Sequence, residues 1–306
     1  MRAVRFHHYG DTDVLGVEDV ELRAHTPGEV VVKVRVAGIN PGEGKIRSGA
    51  LHELFPATFP SGEGSDFAGT VTEVGSEVTG WSVGDEVLGW SWERSSHAEY
   101  VDVPANQLVA KPEALDWISA GALYVAGTTA FAAVDAVDPQ PGETVAISGA
   151  SGGVGSIALQ LAQLRGARVI AIASPRHQSW LESKGAVVVH YGDGLKERIE
   201  KEAGGAPDAF LDFHGADYTA LAVDLGVPAG RINTINYPAA ATYGTHSAGN
   251  AEGTKLEILA ELARLVAEGK VEIPISATYP LGEIRAAFTE LEKGHTLGKI
   301  ALTFEP

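Results

Sequence analysis

One stretch, Glu143 to Ala162, constrains the fold more than any other. An apolar run, Thr144-Val145-Ala146-Ile147, breaks into Ser148-Gly149-Ala150-Ser151-Gly152-Gly153-Val154-Gly155 and resumes as Ser156-Ile157-Ala158-Leu159-Gln160-Leu161-Ala162. The first segment is short, partly β-branched and preceded by the turn pair Pro141-Gly142, whereas Ile157, Leu161 and Leu164 recur at helical spacing. The pattern is strand, glycine loop, helix. Glycines at 149, 152 and 155 give G-x-x-G-x-x-G. This is a relative of the dinucleotide fingerprint, in which small residues permit a tight turn, close approach of backbone N–H groups to a pyrophosphate, and close helix-on-strand packing. The anion would sit at the helix N-terminus, where unpaired N–H groups and the helix dipole favour negative charge.

Glycine is abundant here, with 37 residues, so the triplet alone could equally mark a flexible turn. Context decides. After the helix come Gly166-Ala167 and a second apolar run, Arg168-Val169-Ile170-Ala171-Ile172-Ala173, ending at Ser174-Pro175-Arg176. Strand, glycine turn, helix and strand within about 30 residues is the βαβ unit that the motif requires. The alternation continues, with strands expected at 145–147, 169–173, 187–190, 209–212 and 231–235 and helices near 154–165, 176–184, 194–203, 217–225 and 255–268.

The chain before this unit reads differently. Short strand-like runs at 3–6, 15–20, 29–36, 69–75, 84–89 and 96–103 are separated by Gly- and Pro-rich turns, and Val32, Val34 and Val36 alternate with Lys33 and Arg35 as in a strand buried on one face. Lys45 to Gly49 suggests a short helical turn, and a helical period begins at Trp117. The tail returns to strand-like runs at 276–279 and 299–304, around a helix at 284–291. The class is therefore α/β: a doubly wound nucleotide domain, residues 126–248, inserted into a partly closed β-domain formed by 1–125 plus 249–306.

Composition excludes several functions. At 44% hydrophobic and 21% charged residues, the chain can bury two cores. The start, Met1-Arg2-Ala3-Val4-Arg5-Phe6-His7-His8, lacks the apolar core of a signal peptide, and no apolar run approaches the ~18 residues of a membrane span, so a cytoplasmic protein without membrane partners is expected. The absence of cysteine excludes disulfides, cysteine-type zinc sites and thiol catalysis. A net charge of −17 argues against nucleic acid as a partner.

The combined marks resemble the zinc-independent branch of the medium-chain dehydrogenase/reductase superfamily, the quinone oxidoreductase and enone (alkenal) reductase group. They are Ala37-Gly38-Ile39-Asn40-Pro41 with Lys45-Ile46-Arg47-Ser48-Gly49, Gly64-Ser65-Asp66-Phe67-Ala68-Gly69, Val83-Gly84-Asp85-Glu86-Val87, His97-Ala98-Glu99-Tyr100, Gly127-Thr128-Thr129-Ala130, the loop from Gly149 to Gly155, and Leu297-Gly298-Lys299. The resemblance implies a Rossmann domain inserted into a GroES-like catalytic domain, a homodimer, and a small-molecule substrate. The zinc-dependent branch would carry Cys near Asn40 and Gly-His-Glu near Gly62-Glu63-Gly64. This chain has neither, so no metal is expected. The histidines 7, 8, 25, 52 and 97 show no metal-ligand spacing and read as structural.

Site residues follow from the motif and from the resemblance. Ser151, Gly152, Gly153 and Val154 are the phosphate-loop candidates. At the end of the second strand an NAD-type site would place Asp or Glu against the ribose 2′-OH. Here stand Ser174, Pro175, Arg176 and His177, which suit the 2′-phosphate of NADPH, since a guanidinium grips phosphate bidentately. Tyr191, after the third strand, is implicated by similarity to the quinone reductases. His214 and Asn233 stand near the carboxyl ends of later strands, where ligands bind in such sheets. By resemblance, Thr129 lies near the nicotinamide carboxamide and Lys45 near the nicotinamide ribose and the substrate carbonyl. Asn40, at a strand end, is a second catalytic candidate. Tyr243 and His246 fall in a Gly- and Ala-rich stretch that reads as a loop and could equally cap the pocket. Many quinone reductases carry tyrosines in the segment reading Lys45 to Leu51 here, and this chain has none there.

The function expected is NADPH-dependent, zinc-independent reduction of an electrophilic acceptor, either an α,β-unsaturated carbonyl or a quinone. Two other readings stay open: a non-catalytic NADPH-binding protein, and a tailoring enoyl reductase acting on a carrier-bound acyl chain. If Arg176 reads the 2′-phosphate, Arg176→Ala should weaken NADPH binding by about 1–3 kcal/mol and leave NADH binding nearly unchanged. Calorimetric titration with both cofactors checks this, and equal wild-type affinities for the two would contradict it.

Overall fold

In the computed structural model, which describes residues 1–305, two short strands, β1 (Arg2–Arg5) and β2 (Gly16–Asp19), pair antiparallel ahead of the valine-rich β3 (Glu29–Gly38). Burial in β3 follows the expected alternation, with Val32, Val34 and Val36 enclosed, Lys33 half-buried and Arg35 exposed. The chain then forms α1 (Pro41–Arg47), β4 (Asp66–Val74), β5 (Glu86–Trp90), β6 (Tyr100–Pro104), β7 (Leu108–Ala110), α2 (Trp117–Gly121) and α3 (Tyr124–Val137). The alternating half follows as β8 (Thr144–Ser148), α4 (Gly153–Leu164), β9 (Arg168–Ala173), α5 (Gln178–Ser183), β10 (Val187–His190), α6 (Leu195–Ala203), β11 (Ala209–Asp212), α7 (Ala216–Asp224), β12 (Ile232–Thr234), α8 (Tyr237–Tyr243) and α9 (Asn250–Gly253). The tail adds α10 (Leu256–Ala267), β13 (Ile275–Pro280), α11 (Ile284–Glu292) and β14 (Lys299–Thr303).

Two compact units result, one of residues 1–125, 259–269 and 275–306, the other of 126–258 and 270–274. The first contains a seven-stranded, mostly antiparallel sheet in the order β13-β14-β3-β4-β5-β7, with β6 also pairing β3. Its strands enclose one core around Val30, Val32, Phe67, Val71 and Val101. A second core, around Phe6, Ile39, Phe288, Ile300 and Leu302, is closed by α11. The second unit is the doubly wound half. Its five strands are all parallel in the order β10-β9-β8-β11-β12, so the direction of winding reverses beside β8. Ile170, Ile172, Phe210 and Ile232 form the centre of its core. Nearly continuous apolar strands are what a parallel sheet covered on both faces demands.

Four features differ from the sequence reading. The turn expected at 45–49 is a helix that starts earlier, because Pro41 sits at its first position, where a missing N–H costs nothing. The single helical period from Trp117 splits into α2 and α3, since Gly121 approaches β3 so closely that a Cβ would meet the Val36 carbonyl oxygen at 2.6 Å. The stretch containing Tyr243 is not a loop but α8: Asn236 caps it by accepting from Ala239 N at 3.0 Å, and Gly244 ends it at φ 65°. Residues 249–258, read from sequence as part of the β-domain, belong to the second unit. Asn250 donates to Thr128 Oγ1 at 2.8 Å, and a Cβ on Gly253 would meet the Thr128 carbonyl oxygen at 2.1 Å. Among the described residues no helix is long and apolar enough to cross a membrane.

Candidate functional site

In the second unit most candidate residues follow the carboxyl ends of the parallel strands, while Thr129 lies in α3. The loop from Gly149 to Gly152 turns the chain from β8 into α4 through Gly149 at φ 60° and a hydrogen bond from Gly152 N to Gly149 O at 2.9 Å. Gly155 must lack a side chain, because a Cβ there would meet Gly149 O at 2.2 Å. Helix and loop are thereby held in contact, and Ser151, Gly152, Gly153 and Val154 stay half-exposed at the head of a twelve-residue helix. The first N–H groups of a helix have no partner within it, so this head offers donors to an anion.

The next two strands end beside solvent. After β9, Ser174 is half-buried and Arg176 is exposed, with no hydrogen bond or ion pair to its guanidinium among the described residues. No carboxylate follows the strand until Glu182. Tyr191, just beyond β10, is 51% exposed. Arg198 straps the turn after β10 by donating to the carbonyl oxygens of His190, Gly192 and Asp193. His214 is exposed, its ring edge-on to Tyr218 at 5.1 Å. Thr129 is buried in α3. Asn233 is fully buried, and its amide is engaged on Ala248, donating to the carbonyl oxygen at 3.0 Å and accepting from the N–H at 2.7 Å. It pins the chain beyond α8 to β12. His246 donates from Nε2 to Gly230 O, 3.1 Å away.

A residue that sequence reasoning passed over stands at the centre of this edge. Asp212 is fully buried at the end of β11 and accepts from Ser148 Oγ (2.6 Å), His214 N (3.0 Å), Gly215 N (3.1 Å), Thr219 Oγ1 (2.7 Å) and Thr234 Oγ1 (2.8 Å). The only local signal was an acid ending an otherwise apolar run, Ala209-Phe210-Leu211-Asp212.

In the first unit, Asn40 and Lys45 lie on or beside α1 in different surroundings. Asn40 precedes the helix and is 4% exposed. Glu43 reaches back to accept from Asn40 N (2.8 Å), Asn40 Nδ2 (3.1 Å) and Ser65 N (2.9 Å). Lys299, buried on β14, donates from Nζ to Ile39 O (3.0 Å), to Asn40 Oδ1 and to Asp66 Oδ2 (3.5 Å). Asp66 also accepts from Val125 N at 3.0 Å. Lys45, two residues from Glu43 and from Arg47, faces the other way and is exposed, with no hydrogen bond or ion pair to its ammonium among the described residues. On this helix, then, Asn40 is enclosed and Lys45 is free to meet a ligand.

Burial shapes the electrostatics of the enclosed cluster. Desolvation raises the carboxyls of Glu43 and Asp66, against hydrogen bonds and the Lys299 charge that oppose the rise. Glu63 is raised well above the ordinary range by burial and by the charge of Glu43, with Arg47 Nη1 3.7 Å away only partly compensating. His97, fully enclosed with Nε2 3.0 Å from Gly38 O, is pushed down to about 4 by burial. A divalent metal does not fit here. The chain has no cysteine, no group of three His, Asp or Glu side chains among the described residues converges on one point, and the ammonium of Lys299 already sits between Asn40 and Asp66.

This architecture has known counterparts. Residues 26–113 match the alcohol dehydrogenase GroES-like domain family and residues 123–302 the zinc-binding dehydrogenase family. The chain is therefore a member of the medium-chain dehydrogenase/reductase superfamily. The human mitochondrial NAD(P)H oxidoreductase RTN4IP1 is 30% identical, over 96% of this chain and 87% of that protein. The structure of a quinone oxidoreductase from Coxiella burnetii superposes with a TM-score of 0.89 at 30% identity, covering 100% of this chain and 99% of the other. That of the Escherichia coli quinone oxidoreductase complexed with NADPH gives 0.88 at 25% identity, covering 99% and 100%. Within the superfamily the chain falls in the quinone oxidoreductase group, and it is an oxidoreductase.

The His97 environment generates a pH prediction. Below 6.5 the unfolded chain binds a proton at this imidazole, while the folded chain resists it down to about 4. Folding stability from this residue is thus present above 6.5 and lost as pH falls through that window. The raised carboxyls have the opposite sign, because they hold protons in the folded state and lose stability as pH rises. His97→Gln, whose amide can still donate to Gly38 O, should therefore reduce the loss of stability between pH 7 and 4 by on the order of 2–3 kcal/mol. Urea denaturation of both proteins at the two pH values measures this. An equal loss in both would contradict the assignment.

Proposed function

We propose that the chain is an NADPH-dependent, zinc-independent reductase of small electrophilic acceptors, α,β-unsaturated carbonyls first and quinones second. The observation that carries the reading is the end of β9, where no carboxylate stands to bond a ribose 2′-OH and an exposed, unpaired guanidinium, Arg176, follows half-buried Ser174. Donor chemistry at the sheet edge fits a dinucleotide. The N–H groups at the head of α4, beginning with Gly153 and Val154, suit a pyrophosphate beside half-exposed Ser151 and Gly152. Arg176 and Ser174 suit a 2′-phosphate, Tyr191 an adenosine face, and His214 and Thr129 the nicotinamide half. With a net charge of −17 the overall field repels such an anion, so these local donors must hold it. A quinone oxidoreductase that binds NADPH, with the same fold over the whole chain, supports the same choice.

When bound, the nicotinamide supplies a hydride. The protein's part is to orient and to stabilise charge. Lys45, exposed and unpaired on α1, donates a hydrogen bond to the acceptor oxygen as negative charge gathers there, an interaction stronger in the transition state than in the ground state. Asn40, whose amide oxygen is taken by Lys299 and whose N–H groups are taken by Glu43, acts by fixing the start of α1. The absence of tyrosines between Lys45 and Leu51 favours the enone over the quinone. The protein is read as cytoplasmic and homodimeric.

NADPH oxidation followed against a panel of enones, alkenals and quinones tests the reading. Lys45→Met should lower kcat by on the order of 10²-fold on the best acceptor while NADPH binding is nearly unchanged. Wild-type kcat in that variant would make Lys45 a surface residue. Dialysis against EDTA should leave turnover intact, and a loss restored by zinc would overturn the zinc-independent reading.

A further inference from the structure

The strand order of the second unit reverses at β8, which bonds β9 on one side and β11 on the other. In open parallel sheets a ligand crevice forms outside the carboxyl ends of the strands at such a reversal. The last residues of the two strands flanking it are Ser148 and Asp212, direct cross-strand partners joined by the 2.6 Å hydrogen bond. We propose that Asp212 is a positioning residue for the dinucleotide. Its carboxylate and the Ser148 hydroxyl set the floor of the crevice, and through Phe213 they set the clearance of the glycine loop. This rests on the reading of the chain as a nicotinamide-dependent enzyme.

The geometry gives the reason. One oxygen of Asp212 takes the Ser148 hydroxyl and the N–H groups of His214 and Gly215, which shapes the turn leaving β11. The other takes Thr219 from α7 and Thr234 from the end of β12. Ser148 Oγ accepts in turn from Phe213 N at 3.2 Å. Phe213 lies directly against the glycine loop, since a Cβ added at Gly149 would meet Phe213 O at 3.2 Å and Phe213 C at 3.4 Å. A turn at 213–215 that relaxes toward the loop therefore narrows the space beside the head of α4. A carboxylate accepts all five donors as they stand, three on one oxygen and two on the other, whereas an amide can serve only if the Thr219 and Thr234 hydroxyls turn to accept. A negative charge beside a pyrophosphate site is unfavourable for the ligand. Retaining it there makes sense if holding the turn matters more to binding than removing the charge.

Three variants separate this role from a general contribution to folding. In Asp212→Asn, the amide oxygen can keep the two backbone N–H groups while the Thr219 and Thr234 hydroxyls rotate to accept from Nδ2. It should fold and bind NADPH within about threefold of wild type. Ser148→Ala leaves Phe213 N–H without its acceptor, and Asp212→Ala leaves His214 and Gly215 N–H unpaired. Both should raise the NADPH dissociation constant and KM by about tenfold or more, with the acceptor KM nearly unchanged. A purely structural role would instead lower the unfolding midpoint and leave the NADPH constants of the folded protein alone. Isothermal calorimetry with NADPH, urea denaturation and steady-state kinetics supply the readouts. If Asp212→Ala does not fold, Ser148→Ala decides. Folded Ser148→Ala with wild-type NADPH affinity overturns this proposal alone, whereas a wild-type chain that binds neither NADPH nor NADH overturns the parent reading and this one with it.

Discussion

Taking a carboxylate out of water costs several kcal/mol unless N–H and O–H groups replace its hydration, and each unit of this protein meets that demand where its candidate site lies. In the parallel-sheet unit, Asp212 gathers donors from β8, β12, α7 and the turn after β11. In the β-domain, Asp66 and Glu43 draw on Val125, Ser65, Asn40 and the buried ammonium of Lys299. The two arrangements differ in one respect. Asp212 is satisfied by neutral donors, whereas the other cluster contains a cation and raised carboxyls, so its balance moves with pH. Removing one member of such a cluster costs more than the cluster contributes as a whole, because the partner is left buried and unpaired.

The fold was largely legible because it is written in local patterns. The period-two valines of β3, the period change after Trp117 and the glycine spacing from 149 to 155 each follow from backbone geometry within one element. What escaped was either disguised or distant. α8 reads as a loop to an eye that weighs Gly244 and the small alanines, although Asn236 and Pro238 already mark a helix start. Asp212 and Ser148 are 64 residues apart, and Lys299 and Asn40 are 259 apart, so no window along the chain joins them. Sequence also cannot tell which way an amide is turned. Asn40 and Asn233 both stand at strand ends, yet each has its amide taken up by the protein itself.

Lys299 fills a buried, oxygen-lined position in the β-domain with a side-chain ammonium. That ammonium is bonded to Ile39 O, Asn40 Oδ1 and Asp66 Oδ2, and a positive charge in such a place offsets the cost of keeping a buried acid. In the proposed chemistry, charge stabilisation on the substrate falls to a different cation. Lys45, exposed on the far side of α1, is the one the proposed chemistry uses. The two lysines thus differ in setting: Lys299 is enclosed and hydrogen-bonded, whereas Lys45 is open to solvent.

The proposed reaction is hydride transfer from NADPH to an electrophilic carbon. Its most direct test is isotopic. The protein is incubated with NADPH carrying deuterium at C4 of the nicotinamide, on one face and then on the other, and with a simple enone, and the product is examined by mass spectrometry and deuterium NMR. One deuterium is expected at the carbon β to the carbonyl, from one face of the cofactor only. A product without deuterium from either face, or no product from any enone or quinone despite tight NADPH binding, would contradict it.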